Sequence, residues 1–131
     1  MTLNGIGILA ALATFFGVWI GHVTVRKVEY RVSDLRIPIL SALIIGLALE
    51  IVALSSISLY VSGACGILGM TVLFDALEFR RQFKRVKKGH APANPNNPRH
   101  APLLANGQAT TIDLLKREPV GQVIAYKEQV A

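Results

Sequence analysis

Apolar residues in this chain do not alternate with polar ones; they gather in long runs divided by short charged connectors, and polar residues take over beyond about residue 80. From Leu3 to Val25 the only ionisable side chain is His22. A helix of that length, rising about 1.5 Å per residue, crosses the roughly 30 Å hydrocarbon core of a bilayer. The pattern therefore predicts a first membrane span near 3–25. Arg26, Lys27, Glu29, Arg31, Asp34 and Arg36 form a polar connector, after which Ile37-Pro38 opens a run with no Lys or Arg before Arg80. Proline suits a helix start, where its missing N–H costs nothing. As one helix that run would measure about 64 Å, around twice the bilayer core, so it must break. The small-residue stretch Ser62-Gly63-Ala64-Cys65-Gly66 is the expected break, giving spans near 37–60 and 64–79.

Membrane helices associate through close backbone approach at small residues and through polar contacts. Ala13, Gly17 and Gly21 supply such a face on span one, Ala42, Gly46, Glu50 and Ala53 on span two, and Gly63, Gly66 and Gly69 on span three. These faces suit packing within one bundle or between copies of the chain. The fold class expected is an all-α membrane protein of three transmembrane helices, a membrane domain over 1–89. A Pro/Asn-rich linker over 90–109 and a tail over 110–131 follow it.

Composition narrows the function classes. Of 131 residues, 52% are hydrophobic and 17% charged, against roughly 25% charged in a typical soluble domain. A three-span unit of this size leaves little room for the enclosed cleft of an ordinary enzyme, so a noncatalytic protein is expected. The single Cys65 excludes an intramolecular disulfide and a cysteine-rich metal site. No cofactor motif or metal-ligand set is found. Met1-Thr2-Leu3-Asn4 lacks the basic start of a secretory signal, and the apolar stretch behind it is too long for one, so it is expected to persist as a span. The net charge is +6, from 14 Lys and Arg against 8 Asp and Glu, and no base precedes Arg26. Three spans put the 4 connector bases and the 10 later ones on one face, which the positive-inside tendency makes cytoplasmic. The expectation is an N-terminus outside and a C-terminus in the cytoplasm.

Few ionisable residues fall at membrane depth. Glu50 lies near the midplane of span two, where a carboxylate costs roughly 2.5 to 3.5 kcal/mol on insertion scales. Two readings are open: a proton or cation site, or a protonated acid bonded to Ser41, Ser55, Thr14 or a backbone carbonyl as interhelical glue. At the cytoplasmic ends of spans one and three, Trp19 and His22 share a depth with Asp75 and Glu78. A His with two carboxylates suits a proton relay or metal site. Equally, Glu78 can pair with Gln82 or Lys84, with Trp19 as an interface anchor. Beyond span three, Phe79, Phe83 and Val86 recur at helical spacing among Arg80, Arg81, Lys84, Arg85, Lys87 and Lys88, with Gly89 as a stop. That predicts a basic amphipathic helix over 79–89 lying on anionic lipid headgroups. Without an aromatic platform or recognition fold, the charge does not indicate nucleic-acid binding.

Four of the six prolines fall between His90 and Pro102, which predicts an extended, coreless segment. Thr110 to Asp113 fits a capping box for a short helix over 114–118, ended by Pro119. Residues 120–126 suit either a partnered strand or disorder, disorder being the expectation for the tail.

The stretch Thr14-Phe15-Phe16-Gly17-Val18-Trp19-Ile20-Gly21-His22-Val23-Thr24-Val25-Arg26-Lys27-Val28-Glu29-Tyr30, followed by Glu78, Gln82, Lys84-Arg85-Val86-Lys87-Lys88-Gly89 and Pro92-Ala93-Asn94-Pro95, resembles a small bacterial membrane-protein family classified only as a domain of unknown function. Its members carry TF..IG.(F)HP.VIK.EY and E...Q..RV.KGWFP.NP stretches. This chain departs from them at Val23, where the family has Pro, and at His90-Ala91, where it has Trp-Phe. The resemblance implies a shared topology over roughly residues 1–95, in a multi-pass protein of the bacterial inner membrane. It draws attention to a cytoplasmic-interface cluster of His22, Glu29, Tyr30, Gln82, Glu78 and Arg85, beside Asp75, docking the connector onto the post-span helix. The leading expectation is a noncatalytic scaffold or accessory subunit whose partners are anionic lipids and other membrane subunits or itself. The alternatives are an oligomeric proton or cation pathway through Glu50 and an anionic-lipid-interacting module.

Overall fold

The computed structural model describes residues 4–113. Four helices follow in order: α1 (Gly5–Arg31), α2 (Arg36–Ser55), α3 (Leu59–Lys87) and the short α4 (Ala101–Ala105). The first three are each long and apolar enough to cross a membrane. Asn4 starts α1 by accepting the N–H groups of Ile6 and Gly7 on its Oδ1, at 3.1 and 3.2 Å, which satisfies two of the orphan donors of a helix start. Asp34 accepts the N–H of Arg36 at 2.9 Å in the tight connector before α2, and Pro38 falls in the first turn of that helix.

The break between α2 and α3 lies at 56–58, not at the expected 62–66. Serines decide its place. Ser62, already inside α3, donates its hydroxyl to the Ala53 carbonyl at 2.8 Å across the turn, serving a backbone acceptor that α2 leaves open at its end. The glycines expected to break the helix serve instead to pack it: the Cβ of an alanine at 66 would sit an ordinary 3.7 Å from Ala53.

α3 is continuous to Lys87, so no separate interfacial helix exists over 79–89. Its 29 residues measure about 43 Å, more than a bilayer core, and the final turns stand beyond it. The apolar face expected to lie against lipid is turned inward. Phe79 is 4% exposed and packs with Val25, Ala42 and Ala76, and Val86 is fully buried against Ala91 and Ala93. Burial of such a side chain contributes about 1.5–3 kcal/mol, which fixes the orientation of the helix end.

α3 lies in the middle of the layer and packs along both neighbours. Parallel pairing with α1 is set by Gly17 against Leu68 and Gly21 against Asp75; antiparallel pairing with α2 is set by Gly46 against Leu73 and Gly69 against Leu49. The other faces of α1 and α2 leave Phe15, Trp19, Ile44 and Ile51 exposed, as suits lipid contact.

Residues 90–113 correct the expectation of an extended linker. Gly89, at φ +70°, closes α3, its N–H bonding Val86 and that of His90 bonding Arg85, a left-handed stop that glycine adopts without strain. The chain then folds back as a cap. Ala91 and Ala93 pack on Val86 with Leu103, Leu104 and Ala109 around them, and the Ala93 N–H bonds the Thr110 carbonyl at 2.8 Å. Composition alone suggests a coreless segment; small alanines between turn-forming prolines instead fit closely on the helix end. Thr110 accepts the Ile112 N–H at 3.1 Å, two residues on, whereas the expected capping box would bond the N–H of Asp113. The helix over 114–118 and the strand or disorder over 120–126 lie outside the described residues.

Candidate functional site at the charged end

The last carbonyls of a helix have no partner within it and carry the negative end of its dipole. At the end of α1 the cap supplies those partners. The Asn97 side-chain amide donates to the carbonyls of Tyr30 and Val32, each at 3.1 Å, and at 3.5 Å to that of Glu29. Asn94 donates to Tyr30 at 3.0 Å. Arg99 adds charge: its Nη2 reaches the carbonyls of Glu29 and Val32, both at 2.7 Å, and its Nε reaches Val32 at 3.1 Å. A guanidinium at a helix C-terminus is favoured by both hydrogen bonding and the dipole.

Beneath this clamp Glu29, 1% exposed, faces His100, which is fully buried. Nδ1 of His100 accepts the Asn94 N–H at 3.0 Å, which leaves Nε2 to donate to Glu29 Oε1 at 2.9 Å. Arg99 Nη2 lies 3.4 Å from the same oxygen. The Phe83 ring stacks on His100, with centroids 6.1 Å apart, and the Arg99 guanidinium lies 5.0 Å from its centroid. A buried carboxylate needs such compensation to persist.

The interface cluster expected from sequence divides in two. Glu29 and the Tyr30 backbone belong to this clamp. Glu78 instead pairs with Arg81 at 2.8 Å and Arg85 at 3.7 Å, and Gln82 accepts from Arg85 at 3.2 Å, all on α3. Asn97, Arg99 and His100 escape the sequence reading, and Asn94 enters it only as part of a matched motif, because a Pro-rich composition conceals contacts that span 64 to 71 residues. Beyond that motif, the doublet Arg99-His100, basic among prolines and asparagines, is a local signal.

His22 and Asp75 line one groove between α1 and α3 with Glu78, and no hydrogen bond joins His22 to Asp75. The Asp75 carboxylate lies where a Cβ on Gly21 would stand, 2.6 Å from its Oδ2. No group of three or more His, Cys, Asp or Glu among the described residues could hold a metal ion. The six headgroup candidates Arg80, Arg81, Lys84, Arg85, Lys87 and Lys88 are all exposed.

Glu50 faces α3 at Gly69, whose added Cβ would stand 2.8 Å from its Oε1. That oxygen is buried without a hydrogen-bond partner. The expected hydroxyl partners are committed elsewhere: Thr14, Ser41 and Ser55 each donate to a carbonyl of their own helix at 2.9 Å.

Three apolar spanning helices mark the chain as a multi-pass membrane protein by class. Within that class it belongs to the family defined by a domain of unknown function, DUF4491, whose model matches residues 4–97. No curated protein and no solved structure matches the chain. The matched residues include Glu29, Asn94 and Asn97, while Arg99 and His100 lie just beyond them.

Proposed function

We propose that the protein is a noncatalytic membrane scaffold or accessory subunit, seated in the bacterial inner membrane with its N-terminus outside and its cap in the cytoplasm. The observation that carries this reading is the clamp. Asn94, Asn97 and Arg99 donate to carbonyls at one helix end and His100 bonds the Glu29 side chain beneath it, while Arg99 Nη1 is left without a hydrogen-bond partner, so most of their chemistry is used to hold a surface in place. A cap fixed to α1 and packed on α3 presents the exposed bases of α3 at a constant height above the bilayer. Such a rigid surface suits a partner subunit, because preorganisation lowers the entropic cost of binding.

The test is purification in mild detergent after crosslinking in the membrane. The wild-type chain is expected in a stoichiometric complex, and Asn97→Ala with His100→Ala is expected to release the partner while the helices stay folded. A lone wild-type species, or a complex indifferent to loosening of the cap, would overturn the reading.

A further inference from the structure

The seam between α1 and α3 carries two cavities in line. The one toward the membrane centre, about 590 Å³, is lined by Val18, Ile67, Met70 and Phe74, with His22, Asp75 and Glu78 at its charged end, Glu78 being paired with Arg81 and Arg85. Thr71 in its wall commits its hydroxyl to the Ile67 carbonyl at 2.7 Å, so the wall is apolar in effect. The second, about 580 Å³, lies under the cap and is lined by Arg26, Lys27, Tyr30 and Arg31 of α1, opposite Gln82 and Thr111. His22 lines both. Val18, His22 and Arg26 follow at four-residue steps on α1, which places the apolar and basic sections along one helix face.

We propose that this seam binds one anionic glycerophospholipid from the leaflet at the charged end. An acyl chain lies along Val18, Ile67, Met70 and Phe74, and the phosphate lies among Arg26, Lys27 and Arg31. Length supports the match: from Gly66 to Asp75 the apolar section runs about 13 Å at 1.5 Å per residue, close to the roughly 15 Å that one leaflet contributes to the hydrocarbon core. Charge supports it as well. The acids that line the basic section are Glu29 and Asp113; Glu29 is held by His100 and Arg99, and Asp113 lies 3.6 Å from Arg26. Among the described residues no carboxylate lies within ion-pair distance of Lys27 or Arg31, so the section is net positive. Arginine offers a phosphate paired donors in a fixed plane. The site is separate from the exposed bases between Arg80 and Lys88, which lie on α3 and its C-cap.

The test uses the full chain in phosphatidylcholine bilayers doped with a phosphatidylglycerol that carries a photoactivatable acyl chain. Crosslinks are expected on Ile67, Met70 or Phe74, and Lys27→Ala with Arg31→Ala should lower the labelled fraction about tenfold. Both side chains are exposed, so folding should survive, which circular dichroism checks. Lys84→Ala with Lys87→Ala, equal in charge removed, should leave labelling unchanged. Labelling spread evenly over α2, equal loss in the two double variants, displacement by inorganic phosphate, or crosslinks to a second protein chain in place of lipid would each overturn the proposal.

Discussion

A buried ion cluster is costly to leave half made, and the contact between Glu29 and His100 is of that kind. Removing His100 leaves a carboxylate, 1% exposed, with Arg99 at 3.4 Å as its remaining side-chain partner. Hydrogen bonds to charged groups contribute roughly 1.5–3 kcal/mol, so His100→Ala should loosen the cap by about that much. Limited trypsin digestion should then cut at Arg99 much faster while the three long helices stay protected. Glu29→Gln in the His100→Ala background should recover part of the loss, because the buried charge is gone; strict additivity of the two changes would argue against direct coupling. Glu29 was legible as polar at an interface, but its partner was not. Sequence periodicity reports neighbours within an element, and His100 lies 71 residues away in a segment whose composition suggests no core. Glu50 was legible as an acid at depth on a small-residue face; that its Oε1 would lie against Gly69 without a partner was not.

At the scale of elements, α2 and α3 meet through glycine. A Cβ on Gly46 would stand 2.6 Å from Leu73 Cγ and 3.1 Å from the Gly69 carbonyl, and one on Gly69 would stand 3.1 Å from the Gly46 carbonyl. The backbone cannot yield as a side-chain tip can. Gly46→Ala and Gly69→Ala should each destabilise the helix pair by about 1–3 kcal/mol, the usual cost of overpacking, measured by unfolding in mixed micelles. Gly63→Ala, with nothing within 4 Å of its added Cβ, should cause no loss of stability. Small-residue spacing made the α2 face readable, and Ala42 and Gly46 are buried where it placed them. The turn was less readable. Glycines in a membrane helix mark close packing as readily as a break, and the bond from Ser62 to Ala53 that secures the true turn is invisible until the helices are placed. The basic end of α3 was likewise read as a surface helix, because an apolar stripe beside bases looks the same whether lipid or a cap covers it.

Among the described residues the three long helices form a layer with α3 in the middle, closed at one end by a cap of the same chain. Hydropathy runs carried the number of helices and their order, since no other structure fits that much uncharged sequence at that length. The cap was hidden because its stability comes from long-range contacts with α1 and Val86. Its place at the end of α1 and α3 puts cap and connector bases on one side of the layer, and the proposed cytoplasmic orientation follows from that shared side. Ser33 in the first connector, Ile57 in the α2–α3 turn and Asn106 in the cap are all exposed, so each can carry a single reporter cysteine in a Cys65→Ala background. The most direct measurement is labelling of these three variants in intact cells by a membrane-impermeant thiol reagent, repeated after permeabilisation. The account predicts that Ile57→Cys labels in intact cells, whereas Ser33→Cys and Asn106→Cys label only once the membrane is opened. Labelling of Ser33→Cys or Asn106→Cys from outside, or of Ile57→Cys only from within, would contradict it.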